Sequence, residues 1–405
     1  ADDPLEWCFA WAERHLKALP DENLELLRKN LADGILLLTR FSGLDAPGAA
    51  AREIERAVGI HGPDAGFMMH SAAERDARGL RCLRALAEQA AWRKHAPCHI
   101  FNDLESFVSK DVLEKMKKIA ASKGDFDGSD EKEGAAFLIE LMKPMFEGGE
   151  SEKPSVAPCE VHGQGCNVVP EFGSKLALEI TGSPCVDWSK RGRRRRAGGP
   201  TMIVYAVWLG SFIKSGLHVL VHENTPDFKD YCLLAPLHYW SSRHWKMEVF
   251  RVCPSQLGIP GRRARRFSVL WNPLHVTFAG SFKEFVQLFV TPTEYSGKIF
   301  FVSGGDLAVT ASKTKLQSRQ VYTDLFNERC RANVANAKAS ICDLTQRPPF
   351  GKLDELLPTL VTNHAPYCVE CRRLLTPDES LMSQLLPADH PARQMLKDDV
   401  IKESH

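Results

Sequence analysis

Short apolar segments that alternate with helical periodicity constrain this chain more than any other feature. Leu36-Leu-Leu-Thr-Arg-Phe41 reads as a strand, Ser42-Gly-Leu-Asp-Ala-Pro-Gly48 as a turn, and Ala49 to Val58 as the helix after it. Gly66 to Glu74 reads as a second strand ending in an acid, and His99-Ile-Phe-Asn-Asp103 as a third. Leu176 to Ile180, Thr201 to Lys214 and His218 to Thr225 continue the series as strand, helix and strand. This alternation predicts an α/β fold, a mostly parallel sheet covered by helices on both faces. A strand, a glycine-containing turn and a helix, with an acid at the next strand end, suit a nucleotide-like ligand.

Composition narrows the class without naming it. At 405 residues, 44% hydrophobic and 25% charged, the chain can hold one large domain and one smaller one. No apolar run approaches membrane-spanning length and no signal peptide opens the chain, so we expect no membrane partner and an intracellular location, nuclear in a eukaryote. The 12 cysteines lack the dense, even framework of a secreted scaffold, which favours a reducing compartment. Cys159-x-x-His162-x-x-x-Cys166 and Cys368-x-x-Cys371 could together supply four zinc ligands. The two pairs are far apart in the chain, and the reading assigns no metal. Positive charge is concentrated in two places, Lys190-Arg-Gly-Arg-Arg-Arg-Arg196 and Arg262 to Arg266, despite a net charge of only +1.

The first basic cluster directly succeeds Thr181-Gly-Ser-Pro-Cys-Val-Asp-Trp-Ser-Lys190, where a strand delivers a Pro-Cys pair into a loop. Chance supplies roughly one such pair in a chain with 12 Cys and 24 Pro, and Pro97-Cys98 and Pro158-Cys159 are also present. Pro184-Cys185 is set apart by two blocks downstream of it, first His218-Val-Leu-Val-His-Glu-Asn-Thr225 and then Gly258-Ile-Pro-Gly-Arg-Arg-Ala-Arg-Arg-Phe267. In that order the three blocks resemble the cytosine-5 DNA methyltransferases.

The resemblance implies a Rossmann-like, S-adenosylmethionine-dependent methyltransferase domain and a small β-rich target-recognition domain. It implies that Cys185 is the nucleophile, Glu223 the group at N3 of the base, and Arg263 and Arg265 the paired arginines that hold Glu223 and the exocyclic oxygen. The residue types suit the chemistry, since carbon 6 of cytosine is a poor electrophile that needs a thiolate and a proton donor near N3. S-adenosylmethionine is the implied cofactor, with Phe41, Gly43, Glu74, Asp103 and Pro184 around it and Asp76 as a second choice to Glu74. Duplex DNA with a flipped cytosine is the implied partner, and Ser189 with Arg193, Arg194, Arg195 and Arg196 would meet its backbone.

Several positions depart from the family pattern. Asp45 stands where a second glycine is expected, Gly261 where the family has Gln, and Val186 and Trp188 where it has Gln and Phe. Cys371-Arg-Arg-Leu-Leu-Thr-Pro-Asp-Glu379 resembles a structural segment of the family, as does Leu357-Pro-Thr-Leu-Val361 ahead of it. The last family block, an Asn-containing helix start, does not come after it, and the expectation is a fragment or an incomplete gene model. The expected layout is a helical extension over 1–35, a catalytic domain over 36–272, a target-recognition region over 273–365 and a returning segment over 366–405. A charged insertion, about 110–158, is expected on the surface with helices at Lys110 to Ala121 and Ala135 to Met145. Two other readings remain, a non-catalytic DNA-binding module and an RNA cytosine methyltransferase.

Overall fold

The computed structural model describes residues 3–62, 65–124, 126, 128, 130–147, 156–189, 195–241, 244–278, 280–302, 341–343, 354–360, 365–371 and 373–395. The chain divides into two units. The larger takes Leu19–Arg251 and Arg265–Phe282, and the smaller takes Ala1–Ala18, Val252–Ala264 and Lys283–His405.

In chain order the elements are α1 (Pro4–Phe9), α2 (Trp11–Lys17), α3 (Asp21–Asp33), β1 (Ile35–Arg40), α4 (Ala46–Val58), β2 (Phe67–Ala73), α5 (Ala77–Glu88) and β3 (His99–Phe101). Next come α6 (Lys110–Ser122), α7 (Glu131–Phe146), β4 (Val156–Cys159), β5 (Gln164–Asn167), β6 (Leu176–Gly182), α8 (Met202–Ser215), β7 (Val219–Asn224), α9 (Tyr231–Trp240), β8 (Lys246–Val252) and β9 (Arg265–Trp271). Seven of the strands form one sheet in the order β3-β2-β1-β6-β7-β9-β8. β1, β2, β3, β6 and β7 pair in parallel, and β9 runs antiparallel to β7. The α/β class and the mostly parallel sheet are thus as the alternation predicts.

Successive residues of β1 point to opposite faces, so Leu37 and Leu38, both buried, enter different cores. Leu37 joins Leu31, Ile35, Ala51, Phe67 and Met69, beneath α3 and α4. Leu38 joins the larger core on the other face, with Phe101, Phe107, Leu138, Met142, Trp208, Phe212 and Leu237. α8 is apolar on nearly every side, with nine of its residues buried, as a helix enclosed by protein must be. The 110–158 segment differs from the surface insertion expected of it. Phe137, Leu138, Leu141, Met142 and Met145 of α7 are all buried in the main core, and the charged residues flanking these positions obscure that apolar stripe in the sequence.

The chain leaves β1 for β2 on one side and later fills the other side with β6, so the strand order reverses between β1 and β6. The carboxyl ends of two strands at such a reversal open a crevice in which α/β proteins bind ligands. Arg40 pairs with Thr181 at that end, and Phe41-Ser42-Gly43 and Ser183-Pro184-Cys185 therefore emerge side by side.

In the smaller unit, Ile341–Asp343, Pro366–Cys368 and Arg373–Leu374 form a three-stranded antiparallel sheet. Lys298-Ile-Phe-Phe-Val302, β-rich but irregular as a sequence, overlaps a 3-10 helix at Gly297–Phe300. Ser296 caps it by accepting the Lys298 amide, and Phe300 is fully buried, so a local cap and one anchor outweigh β-propensity. The Arg373-x-Leu-Thr-x-x-Glu379 segment explains itself structurally. Thr376 and Glu379 cap each other's backbone at the start of helix Pro377–Met382, and Arg373 holds the buried Glu379 carboxylate through two bonds of 2.7 and 2.8 Å.

Candidate active site

β6 and β7 are in parallel register with Gly182 opposite Glu223. This sets the Glu223 carboxylate beside the end of the strand that carries Cys185. An added Cβ at Gly182 would lie 3.1 Å from Glu223 Oε2, so the carboxylate would have to give by a few tenths of an ångström. On the other side Arg265, at the start of β9, donates from Nε to Glu223 Oε1 at 2.5 Å. Neither side chain is fully buried, with Glu223 29% and Arg265 16% exposed, so the pair lies at the edge of the core. Arg263 belongs to the smaller unit, where its guanidinium donates to the Leu360 carbonyl at 3.2 Å.

The loop carrying Cys185 is held at both ends. Before the cysteine, Ser183 Oγ bonds His222 Nε2 at 2.7 Å, and Asn224 Nδ2 donates to Ser183 Oγ and to its carbonyl at 2.9 and 3.2 Å. Burial, with Arg266 nearby, pushes His222 down to about 3, so it stays neutral at ordinary pH and serves as a hydrogen-bonding strut. After the cysteine, its carbonyl accepts the amides of Trp188 and Ser189 at 3.0 and 2.8 Å, which folds the chain into a turn. Asp187 is buried, accepts from Thr201 Oγ1 at 2.6 Å, and through its carbonyl receives the Arg196 amide at 2.9 Å. Cys185 itself is half-buried at the head of this turn. Arg195 is exposed and Arg196 half-buried, while Arg193 and Arg194 lie outside the described residues.

A cleft of about 570 Å³ adjoins the turn and is lined by Trp188, Arg196, Phe228, Lys229, Arg251 and Arg266, among others. Trp188 packs against Phe228 with ring centroids 5.0 Å apart. Its four cations are set among Glu131, Asp227 and Asp230, with Lys229 paired to Glu131 at 3.0 Å and Arg266 paired to Asp230.

The β1 end of the crevice is tightly interlocked. Phe41 adopts a left-handed conformation, and its ring meets that of Trp208 edge-on at 6.2 Å. Gly43 has a φ of +58°, with open space where a side chain would be, and its amide donates to Glu74 Oε2 at 2.6 Å. Glu74 Oε1 accepts the amides of Arg75 and Asp76 at 2.8 and 2.7 Å. Three of about four carboxylate lone-pair positions are then used, and one remains for a ligand hydroxyl. Asp76 instead caps α5, accepting the Arg78 and Gly79 amides, and Asp103 caps the turn at Leu104–Phe107 by accepting the Glu105 amide. Gly79 was not anticipated from the sequence; a Cβ there would come within 2.8 Å of the Gly43 carbonyl, so its absence lets α5 close on the turn.

Sequence reasoning also passed over Ser183, His222 and Asn224. The signal was available in the alternation of β7, which places His222 and Asn224 on the side opposite Glu223.

No protein family and no curated protein sequence matches the chain. Solved structures do resemble it, and they are methyltransferases. A putative DNA modification methyltransferase encoded within prophage Cp of E. coli aligns with 89% of this chain and 93% of its own at 12% identity, with a TM-score of 0.44. DNMT2 of Spodoptera frugiperda, in a mutant form, aligns with 67% of this chain at 11% identity and a TM-score of 0.35; this chain spans 61% of its length. The Entamoeba histolytica methyltransferase EhMeth aligns with 69% of this chain and 62% of its own at 12% identity and a TM-score of 0.35.

Proposed function

We propose that this chain transfers a methyl group from S-adenosylmethionine to carbon 5 of cytosine in DNA, with Cys185 as the nucleophile. The observation that carries the reading is the register of Gly182 with Glu223, which brings a carboxylate clamped by Arg265 to the strand end that presents Cys185. In this reading the Cys185 thiolate adds to carbon 6 of a flipped cytosine, and the carbon 5–carbon 6 π pair moves into the ring. Glu223 places a proton at N3, where the displaced charge collects, and Arg265 keeps the carboxyl aimed there. S-adenosylmethionine, when bound, supplies an electrophilic methyl group for carbon 5. Loss of the carbon 5 proton to solvent then returns an electron pair to the ring and expels Cys185 as a thiolate, and N3 gives its proton back to the Glu223 carboxylate.

The β1 side of the crevice fits such a cofactor. Gly43 leaves open space at the strand end, Phe41 offers a ring, Glu74 keeps one acceptor position, and Asp103 lies two residues beyond the end of β3. Pro184 borders the other side. Ser189, Arg195 and Arg196 lie close enough to Cys185 in the chain to meet the phosphates beside the reacting base, as would Arg193 and Arg194. Arg265 takes the arginine role beside Glu223, while Arg263 lies in the smaller unit, engaged at the Leu360 carbonyl.

The deciding experiment supplies the full chain with a radiolabelled methyl donor and either duplex DNA or folded RNA, and then analyses the nucleosides. Label in 5-methylcytosine from DNA is the expected result. Label only from RNA would move the assignment to an RNA enzyme, and no label with retained donor binding would favour a non-catalytic module. Gly182→Ala should lower turnover at least ~10-fold, because its Cβ displaces a carboxylate that Arg265 holds from the far side. Thermal unfolding of this variant should shift by less than ~3 °C, since the site is partly exposed and the strand register is unaffected. Unchanged turnover in a folded Gly182→Ala protein would argue against a catalytic position for Glu223.

A further inference from the structure

His99, Cys159, His162 and Cys166 bring one ligand-type atom each into a group whose members all lie within 4.8 Å of one another. Cys159 Sγ is 3.8 Å from His99 Nδ1 and 3.4 Å from His162 Nδ1, and Cys166 Sγ is 3.4 Å from the same His162 nitrogen. A tetrahedral zinc ion with sulfur ligands at ~2.3 Å and nitrogen ligands at ~2.0 Å separates sulfur from nitrogen by about 3.6 Å. The three sulfur–nitrogen separations are therefore close to the spacing that a tetrahedral ion would impose, and the remaining ligand atoms lie within 4.8 Å of one another. We propose that they form a structural zinc site that fastens the β4–β5 hairpin to the edge of the main sheet.

Packing does not account for the convergence. His162 is exposed and Cys166 only half-buried, so neither gains much by leaving water for the other. The hairpin is also short, with four residues in each strand, and two-stranded hairpins of this size are marginal by themselves. Its turn is tight: Gly163, between His162 and Gln164, has a φ of +64°, a conformation that favours glycine. β3 is a three-residue strand at the edge of the sheet, where unpaired backbone groups need cover. The hairpin supplies that cover, since the Glu160 amide donates to the Ile100 carbonyl at 2.8 Å. The Glu160 carboxylate also accepts from Asn102 and Arg84, each at 2.6 Å. An ion joining His99 of β3 to three ligands of the hairpin would cross-link the two elements beside the Glu160 contacts.

The charge balance suits zinc. Two cysteine thiols each release a proton on binding, and two thiolates with two neutral imidazoles leave the bound dication with no net charge. All four positions are then filled by protein, which excludes a bound water and marks the site as structural. All four ligands come from the larger unit, and the Cys368-x-x-Cys371 pair, which belongs to the smaller unit, has no part in it. The inference is independent of the methyl-transfer reading.

The test is the metal content of the full 405-residue chain purified without chelator. Roughly one zinc per chain is expected, falling at least ~10-fold in Cys166→Ser and in His99→Ala and remaining in Cys371→Ser. Should the first two variants fail to fold, cobalt substituted into the intact protein decides, because tetrahedral thiolate ligation gives an intense visible spectrum and protects Cys159 and Cys166 from alkylation. A chain with only trace metal and no cobalt spectrum would overturn the proposal. So would a Cys159–Cys166 disulfide in the freshly purified protein, or zinc that survives in both variants and disappears from Cys371→Ser.

Discussion

Cys185→Ala should eliminate covalent capture of DNA containing 5-fluorocytosine. Fluorine at carbon 5 cannot depart as a proton, so once the thiolate has added to carbon 6 and the methyl group has been transferred, the enzyme remains attached to the base. The wild-type chain should therefore form a complex with the labelled duplex that survives denaturing electrophoresis. Alanine offers no electron pair at that position, and removing a nucleophile outright costs at least ~10³-fold in the step it performs. The turn around residue 185 should persist in the variant, because its bonds run through the Cys185 carbonyl, the Ser183 hydroxyl and the Asp187 carboxylate, and the thiol takes no part in them. Loss of the adduct with retained DNA binding is the expected pair of results. An adduct of unchanged yield in Cys185→Ala would mean that another residue attacks, and an adduct confined to fluorinated RNA would reassign the substrate.

The sequence made the sheet legible because parallel strands are buried on both faces and read as apolar runs with helices between them. Leu36 to Phe41, Gly66 to Glu74 and His99 to Asp103 each coincide with a strand to within two residues at either end. Acids at successive strand ends were equally visible, but their partners were not. That Glu74 would be gripped by three backbone amides, and that Asp76 would cap α5, depend on how α5 approaches the turn, which rests on the missing side chain of Gly79. His99 illustrates a different limit. Cys159, His162 and Cys166 share one hairpin and announce themselves by spacing, whereas the fourth residue of the group is 60 positions away and meets them only because the hairpin docks on β3. Lys298 to Val302 shows the reverse, an apolar run with β-propensity and a local cap that turns it into a helix.

Asp45→Asn should make the protein more stable at alkaline pH and leave it unchanged in acid. Asp45 stands where the family resemblance calls for glycine, and it has the conformation that favours glycine, with a φ of +59°; aspartate and asparagine enter that region more readily than most residues. Its side chain is 1% exposed, Oδ1 has no partner, and burial pushes its carboxyl up to about 8, against a smaller opposing effect of the Gly48 amide. At neutral pH the carboxyl therefore keeps its proton and places no negative charge under the Gly43 turn, so the departure from glycine is one of volume more than of charge. A folded-state pKa raised above the unfolded value means that the native state binds the extra proton. The contribution is fully present below about pH 4, declines as pH rises, and is lost above about pH 8. At about 1.4 kcal/mol per unit the ceiling is about 6 kcal/mol, and relaxation around the charged form should reduce it to about 2–3 kcal/mol. Buried histidines oppose this trend in the wild type, because His15, held near 4, and His70 and His222, held near 3, add stability as pH rises towards 6.5. The difference between wild type and Asp45→Asn cancels them and isolates the carboxyl. Urea unfolding of both proteins at pH 5, 7 and 8.5 should show that difference near its smallest at pH 5 and growing in favour of Asn at each higher pH; a gap that stays constant with pH would mean that Asp45 is ionised in the folded protein throughout.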